Sequence, residues 1–573
     1  MHGLLKTFSR LRGKMASSRL NSAAESTANA QREFLLKLVA QNTDSAFGRE
    51  HGFASIRTVS DYRKQVQVRD FEGLRPYVNR IMAGEVSALT HEAPFMLTMT
   101  SGTTGEPKFI PVTRESQKLN SSLMALWLHR ALHDHPGLMD YSSIGIVSQA
   151  IEGHTGSGVP YGSASGLIYK NIPWLIRRTY AIPYEVSELH NYDERYFIAA
   201  RFALARRVSF IATPNPSTMI LLARTCTSQK ERLVRAIHDG TLGIDSPTQQ
   251  GICAELATKL RPQPARAKAL ENVIKRTGEL LPADCWTDLK LIGCWMGGSS
   301  GIQARKLQSF YGAVPLRDLG YLSSEGRVTV PFADNAPSGI LAIQNGFYEF
   351  IPEESADAVD PLVLSSHELE QGRRYSILLS TANGLYRYKI NDIVEVTGFF
   401  CEAPLLAFIR KGGEMANITG EKMHANHLMQ AIDEIKHRFD LAIGHFRASP
   451  DFDAGRYDIF MELEQKMSPA LLRNQVLPEL DKILARVNIE YAQKRQSQRL
   501  AAPMLHLMQD TWVAMCLQRH IAAGKRDTQY KWQILGPDRR EEDTLAIVSS
   551  IEIMNDPYKA SNPITEISTT SLT

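Results

Sequence analysis

Residues 98–111 join an apolar lead-in to a dense set of hydroxyl, glycine and amine groups: Thr98, Thr100, Ser101, Gly102, Thr103, Thr104, Gly105 and Lys108. A loop of this kind wraps phosphate oxygens with backbone N–H groups and hydroxyls; glycines allow close approach and Lys108 adds charge. It is not a Walker loop, because Gly102 and Gly105 lie too close together and no GK[ST] follows. A plain Ser/Thr/Gly turn is the alternative, and it leaves the density of donors without a use. Further on, Tyr321, Ser323, Ser324 and Glu325 offer an aromatic face, two hydroxyls and a carboxylate within five residues. One glutamate beside phosphate oxygens is chemically sufficient for Mg²⁺. A third segment, from Tyr386 to Ile393, sets Asp392 between strand-like stretches, where a carboxylate can accept both hydroxyls of a ribose. As a turn residue paired with Arg387, Asp392 would have no such role.

A competing motif is Gly297, Gly298, Ser299, Ser300 and Gly301, which satisfies G-x-S-x-G after an apolar strand and before a helical stretch. That is the setting of a hydrolase nucleophile elbow, with Ser299 as nucleophile. Five residues are a short pattern, and no Asp or His elsewhere stands out as its partner.

The elements that must hold these groups follow from periodicity. Residues 21 to 90 read as helices, with Phe34, Leu35, Leu38 and Val39 on one face. From about 94, short apolar strands alternate with helices at 115–133, 193–206, 217–238 and 302–311. The strands are expected at 95–100, 144–148, 209–213 and 289–296, then at 328–332, 340–344, 375–380 and 393–397. Alternation argues for α/β layers, and the strand-dense part after 313 for a mixed or antiparallel subdomain. After about 412 a helical stripe (Leu428, Ile432, Ile435, Phe439), an alternating strand (Tyr457, Ile459, Met461, Leu463) and a helix after Pro478 suggest a separate small α+β domain. The expected division is 1–411 and 412–573, with Lys411, Gly412 and Gly413 as a hinge and a mobile tail after about 556.

The 573 residues are 43% apolar and 22% charged, an ordinary globular balance that excludes a disordered or fibrous chain. Sixty-five basic and 61 acidic residues leave a net charge of +4, too small for a nucleic-acid footprint. The six cysteines show no CxxC spacing, so a structural zinc site is not expected and a reducing, cytoplasmic compartment is. No apolar stretch reaches the ~18–20 residues of a membrane span. Lys6, Arg10, Arg12, Lys14 and Arg19, with no acid among them, read as a solvated, frayed terminus.

Taken in order, the Ser/Thr/Gly loop, the Tyr321–Glu325 segment, the Tyr386–Asp392 segment and Phe408, Ile409, Arg410 before a small domain resemble the adenylate-forming superfamily. Within it the chain is similar to the Gretchen-Hagen-type (auxin-responsive) acyl-acid amido synthetases. Thr43, Phe47, Gly48, Arg49, Phe53, Tyr62, Arg63, Val66, Tyr77, Gly84 and Glu85 look like that family's amino-terminal helical segment, and Gln529, Tyr530, Lys531 like its carboxy-terminal lysine motif. The resemblance covers about residues 30 to 545.

It implies a large α/β domain with a β-rich subdomain and a small mobile α+β lid. It further implies ATP and Mg²⁺, a carboxylic acid activated as its adenylate, and an amine or amino acid as acceptor, in a monomer without nucleic-acid partners. By the same resemblance Ser101, Gly102, Thr103, Thr104, Gly105 and Lys108 bind the ATP phosphates. Tyr321, Gly298 and Ser299 lie near adenine, and Ser323 and Ser324 near the nucleotide, the latter at the α-phosphate. Glu325 holds Mg²⁺, Asp392 the ribose, Arg410 the interdomain side of the nucleotide, and Lys531 enters the adenylation site. Leu123 and Trp127 match positions lining the acid pocket, though an apolar pair four apart is also plain core; Trp127 there suggests an aromatic or apolar acid. Arg327 either pairs with a substrate carboxylate or faces solvent. Leu322 and Asn391 replace small residues, usually glycine, of the family pattern. A thioester-forming acyl-CoA ligase shares the first half-reaction and is the main alternative.

Overall fold

The computed structural model describes residues 2–558, apart from 101–107, 245–248, 299, 357, 359, 413–414, 417, 419–420, 422, 497–499, 525–526, 528–529, 537–538 and 555. Its described residues fall into two compact units, one from 1–411 with 525–530 and one from 412–524 with 531–573.

The first unit opens with helices, as the periodicity predicts, but they begin earlier. His2–Ala24 is a helix rather than a frayed terminus. Arg10, Arg12, Lys14 and Arg19 are exposed, as expected of a basic stretch. Leu20, Ala23 and Ala24, however, enter the main core, and Lys6 pairs with Asp140. Gly13 permits close approach to the helix Arg114–Asp134: a Cβ there would lie 2.1 Å from Cβ of His129. Small residues on one face, invisible in a count of charges, turn the basic stretch into a packed helix.

Four parallel strands, in the order Ser142–Ile144, Val208–Ala212, Leu291–Cys294 and Leu316–Asp318, form the α/β layer. The expected strand at 144–148 ends at its start, and the helix expected over 217–238 is two, Pro216–Ser228 and Lys230–Asp239, broken at Gln229. An antiparallel seven-stranded sheet accounts for the strand-dense part. Its central strands are Gly346–Pro352, Arg374–Thr381, the 16-residue Leu385–Phe400 and Ala403–Lys411.

The amino-terminal helices brace this sheet. Phe47 stacks on Tyr386 with ring centroids 4.6 Å apart, and the Tyr62 hydroxyl lies 2.8 Å from that of Ser380. Arg63 and Arg387 both donate to the buried Glu349 carboxylate, each at 2.9 Å. Arg387 also donates to the Val66 carbonyl at 2.9 Å.

In the second unit, strands Ile443–Asp451, Arg456–Leu463, Met504–Met508 and Ile547–Ile551 make one sheet, with helices Ala425–Arg438, Leu477–Val487 and Trp512–Ala522 beside them in sequence. The helix carrying Pro478 directly follows a π-helical turn, Leu472–Val476, that joins it to the preceding residues. Among the described residues no helix is long and apolar enough to cross a membrane. All six cysteines are free.

Candidate functional site

The site grows from a tight turn at the end of the parallel sheet. Tyr321 carbonyl accepts from Val328 N–H at 2.8 Å, Leu322 bridges to Arg327, and Ser323 N–H donates to Gly326 carbonyl at 2.9 Å. Tyr321, half-buried Ser323 and Ser324, and buried Glu325 and Arg327 are thereby held on one compact turn.

Its base is fixed by Asp318, which sequence reasoning missed. The Asp318 carboxylate accepts from Met296 N–H at 2.7 Å and Gly320 N–H at 2.6 Å, and from Gly297 N–H as well. One buried side chain thus ties the glycine-rich strand end to the turn. Burial pushes its pKa up to about 7 against the pull of those N–H donors. The available signal was an acid at the end of an apolar strand, two residues before Gly320.

Two segments far apart in sequence meet at Tyr321, whose hydroxyl donates to Asp392 Oδ2 at 2.6 Å. Asp392 is not a turn residue paired with Arg387. It lies within the strand Leu385–Phe400, and Arg387 is spent on Glu349. Burial and the Asp392 charge raise the Tyr321 pKa well above its usual value, so the phenol stays a donor. The Tyr321 ring also lies 5.5 Å from that of Phe408. A Cβ on Gly297 would come within 2.9 Å of the Phe408 carbonyl oxygen, and Gly298, in the left-handed region at φ 55°, packs as closely on Ile409. The glycines therefore bring the strand end onto the strand Ala403–Lys411, and Gly298, Tyr321 and Asp392 fall in one cluster. Asn391 explains one departure from the family pattern: its φ is +59°, a region that glycine enters freely and asparagine more readily than other residues.

Glu325 is 8% exposed, with the Tyr388 hydroxyl 3.5 Å from its Oε1. Asn383, in the hairpin turn before Leu385, donates to the Glu325 carbonyl at 3.2 Å. Thr113 caps the helix Arg114–Asp134 and donates to the Ala382 carbonyl in the same turn at 2.9 Å. No group of three or more His, Cys, Asp or Glu able to hold a metal occurs among the described residues. A lone oriented glutamate fits Mg²⁺ only when phosphate oxygens complete the shell, which is how Mg²⁺ is usually bound.

The other expected residues are placed as follows. Ser101, Gly102, Thr103, Thr104, Gly105 and Ser299 lie outside the described residues. Lys108 begins the strand Lys108–Val112 directly after that loop, its ammonium 5.7 Å from the Phe71 ring centre. Arg410 is buried and donates to Glu353 at 2.6 Å. Lys531 is exposed and belongs to the second unit. Leu123 and Trp127 are both in the main core. Trp127 is 1% exposed and its indole N–H donates to the Asp318 carbonyl at 2.8 Å, so it is packing and no guide to an aromatic acid. Arg327 does not face solvent; it is 6% exposed.

The chain matches the GH3 family N-terminal domain over residues 16–316, the central domain over 339–411 and the C-terminal domain over 426–540. It is 23% identical over 525 residues to the jasmonoyl–L-amino acid synthetase JAR4 of Nicotiana attenuata, covering 87% of this chain and 90% of that one. It is 25% identical over 438 residues to the indole-3-acetic acid-amido synthetase GH3.15 of Arabidopsis thaliana, covering 72% and 73%. Among solved structures it is similar to the AtGH3.15 acyl acid amido synthetase in complex with 2,4-DB, with TM-score 0.82 at 20% identity over 95% of this chain and 98% of that one. A 2-hydroxyisobutyryl-CoA ligase in complex with 2-HIB-AMP has the same fold, with TM-score 0.51 at 12% identity, covering 91% and 92%. With the three domain matches in chain order spanning most of the sequence, the chain belongs to the GH3 family.

Proposed function

We propose that this chain is an ATP-dependent acyl-acid amido synthetase. It activates a small carboxylic acid as its acyl-adenylate with release of pyrophosphate, then passes the acyl group to an amine, an amino acid above all, with release of AMP. The observation that carries this is the Tyr321–Asp392 hydrogen bond. It joins an aromatic face and a carboxylate from segments 71 residues apart, beside a glycine-rich strand end and one oriented glutamate.

In this reading Asp392 accepts the ribose hydroxyls and Tyr321, held by it, presents its ring to adenine. Ser101, Thr103, Thr104 and Lys108 take the phosphates, and Arg410, steadied by Glu353, borders the nucleotide. Mg²⁺, when bound at Glu325, neutralises charge on the phosphate oxygens. Asn383 holds the Glu325 backbone carbonyl and the Tyr388 hydroxyl lies 3.5 Å from its carboxylate, which limits the reorganisation needed as charge develops on phosphorus. Lys531 supplies a further cation during adenylation. A reducing, cytoplasmic setting is supported by six free thiols, five of them buried.

The experiment that tests the reading is product analysis. With Mg·ATP and an acid panel, hydroxylamine should yield hydroxamate and a set of amino acids should yield amide plus AMP, unaffected by coenzyme A. Thioester formation in preference to amide would replace this reading with the acyl-CoA ligase.

A further inference from the structure

The helix His2–Ala24 carries two apolar stripes, and the core uses only one of them. Leu20, Ala23 and Ala24 enter the core, and Gly13 brings the same side close to His129. On the opposite side Leu11 is 64% exposed and Met15, one turn further on, is 57% exposed. A lone exposed leucine is ordinary surface. Here, at about 100° per residue, the two apolar side chains fall in the middle of the exposed arc. Arg10 and Lys14 border that arc on one edge and Arg12 and Arg19 on the other, all four exposed.

The charge on this face is of one sign. No Asp or Glu precedes Glu25 in the chain. Lys6 is spent on Asp140, whereas no acid among the described residues pairs with Arg10, Arg12, Lys14 or Arg19. The positive field reaches the neighbouring helix: burial lowers the pKa of His129, and Arg130, His133, Arg10 and Lys14 lower it further. The face is also preformed. Gln344 donates to the Arg19 carbonyl at 3.1 Å and Glu402 N–H to the Ala24 carbonyl at 2.9 Å, so docking has no helix to order.

We propose that this face docks peripherally on an anionic lipid surface. Leu11 and Met15 enter the boundary between headgroups and acyl chains, and the two rows of cations, on long flexible stems, reach the lipid phosphates on either side. Charge complementarity selects this occupant. A second copy of the chain would bring like-charged rows together across a two-fold axis, which is repulsive. A nucleic-acid backbone would satisfy the cations and leave the apolar stripe without a use. Docking on a surface is not crossing it, and this proposal does not depend on the adenylating reading.

The test is flotation of the full chain with vesicles of phosphatidylcholine alone and of phosphatidylcholine mixed with phosphatidylserine. Wild type should float with the mixed vesicles and not with the neutral ones, and raised salt should release it. Each cation near such a surface strengthens binding by about fivefold, so Arg10→Gln, Arg12→Gln, Lys14→Gln and Arg19→Gln together should weaken it by about a hundredfold or more. Replacing the three arginines by lysine should leave binding near wild type, because the surface reads charge. Leu11→Gln with Met15→Gln should weaken binding by about tenfold or more with the charge intact.

All six side chains are exposed, so these variants should keep the wild-type unfolding temperature and the wild-type activity without vesicles. Equal binding to both vesicle types, or binding to neither, overturns the proposal. Anionic binding that survives loss of Leu11 and Met15 would make the face a general polyanion site and overturns it too. Sedimentation velocity without vesicles covers the remaining occupant: a concentration-dependent dimer dispersed by Leu11→Gln with Met15→Gln would make the stripe a subunit interface instead.

Discussion

Single residues carry two kinds of information here, and only one is legible in a linear sequence. Tyr321, Glu325 and Asp392 stand out because an aromatic, a hydroxyl-rich segment and an acid are chemically conspicuous. Asp318 does not, because its work is to accept backbone N–H groups from two loops at once. Its pH signature is testable. With a folded pKa of about 7 against an ordinary 3.8, the native state holds this proton more tightly than the unfolded chain. Its contribution to stability is therefore fully present below about pH 4 and is lost as pH rises through 7. Asp318→Asn should lower stability, because an amide replaces one acceptor with a donor facing N–H groups. It should also lose the Asp318-dependent part of the slope between pH 5 and 7. Denaturant midpoints at pH 5, 6 and 7 check this; parallel wild-type and variant profiles would contradict the assignment.

At the scale of elements, the α/β alternation and the strand-dense subdomain were readable from periodicity, whereas lengths and pairings were not. The strand expected at 393–397 runs from Leu385 to Phe400 because the neighbouring strands hydrogen-bond it along most of that length, a tertiary effect. Within it Arg387 and Asn391 hold positive φ values of 48° and 59°, so the strand is irregular just where it approaches Asp392. Glycine at the family position thus reports a backbone demand that asparagine also meets. Asn391→Gly should change stability by less than about 0.5 kcal/mol, while Asn391→Val should cost roughly 1–2 kcal/mol. Urea unfolding of the two variants decides it, and equal losses would mean that the asparagine side chain, not its φ, matters. The amino-terminal helix shows the opposite failure: a count of basic residues concealed the small residues, Gly13 among them, through which it packs.

Across the whole molecule, order was the most informative property. No one motif distinguishes an adenylating enzyme from a phosphate-binding loop or a nucleophile elbow; the succession of motifs does, and the GH3 domain matches follow the same succession. What order could not convey is which groups share a cavity. Arg327 and Asn383 line one small cavity with Glu325, and that emerges only from the packing. The central claim is that Glu325, on the turn whose backbone Asn383 holds, serves acid activation by ATP. The most direct test is ATP-dependent pyrophosphate release, with hydroxylamine as acceptor, by wild type and Glu325→Gln. Wild type should release pyrophosphate with a restricted class of acids, and the variant should be slower by about a hundred- to a thousandfold while remaining folded. Equal rates in the two proteins, or no release from wild type with any acid, would contradict the account.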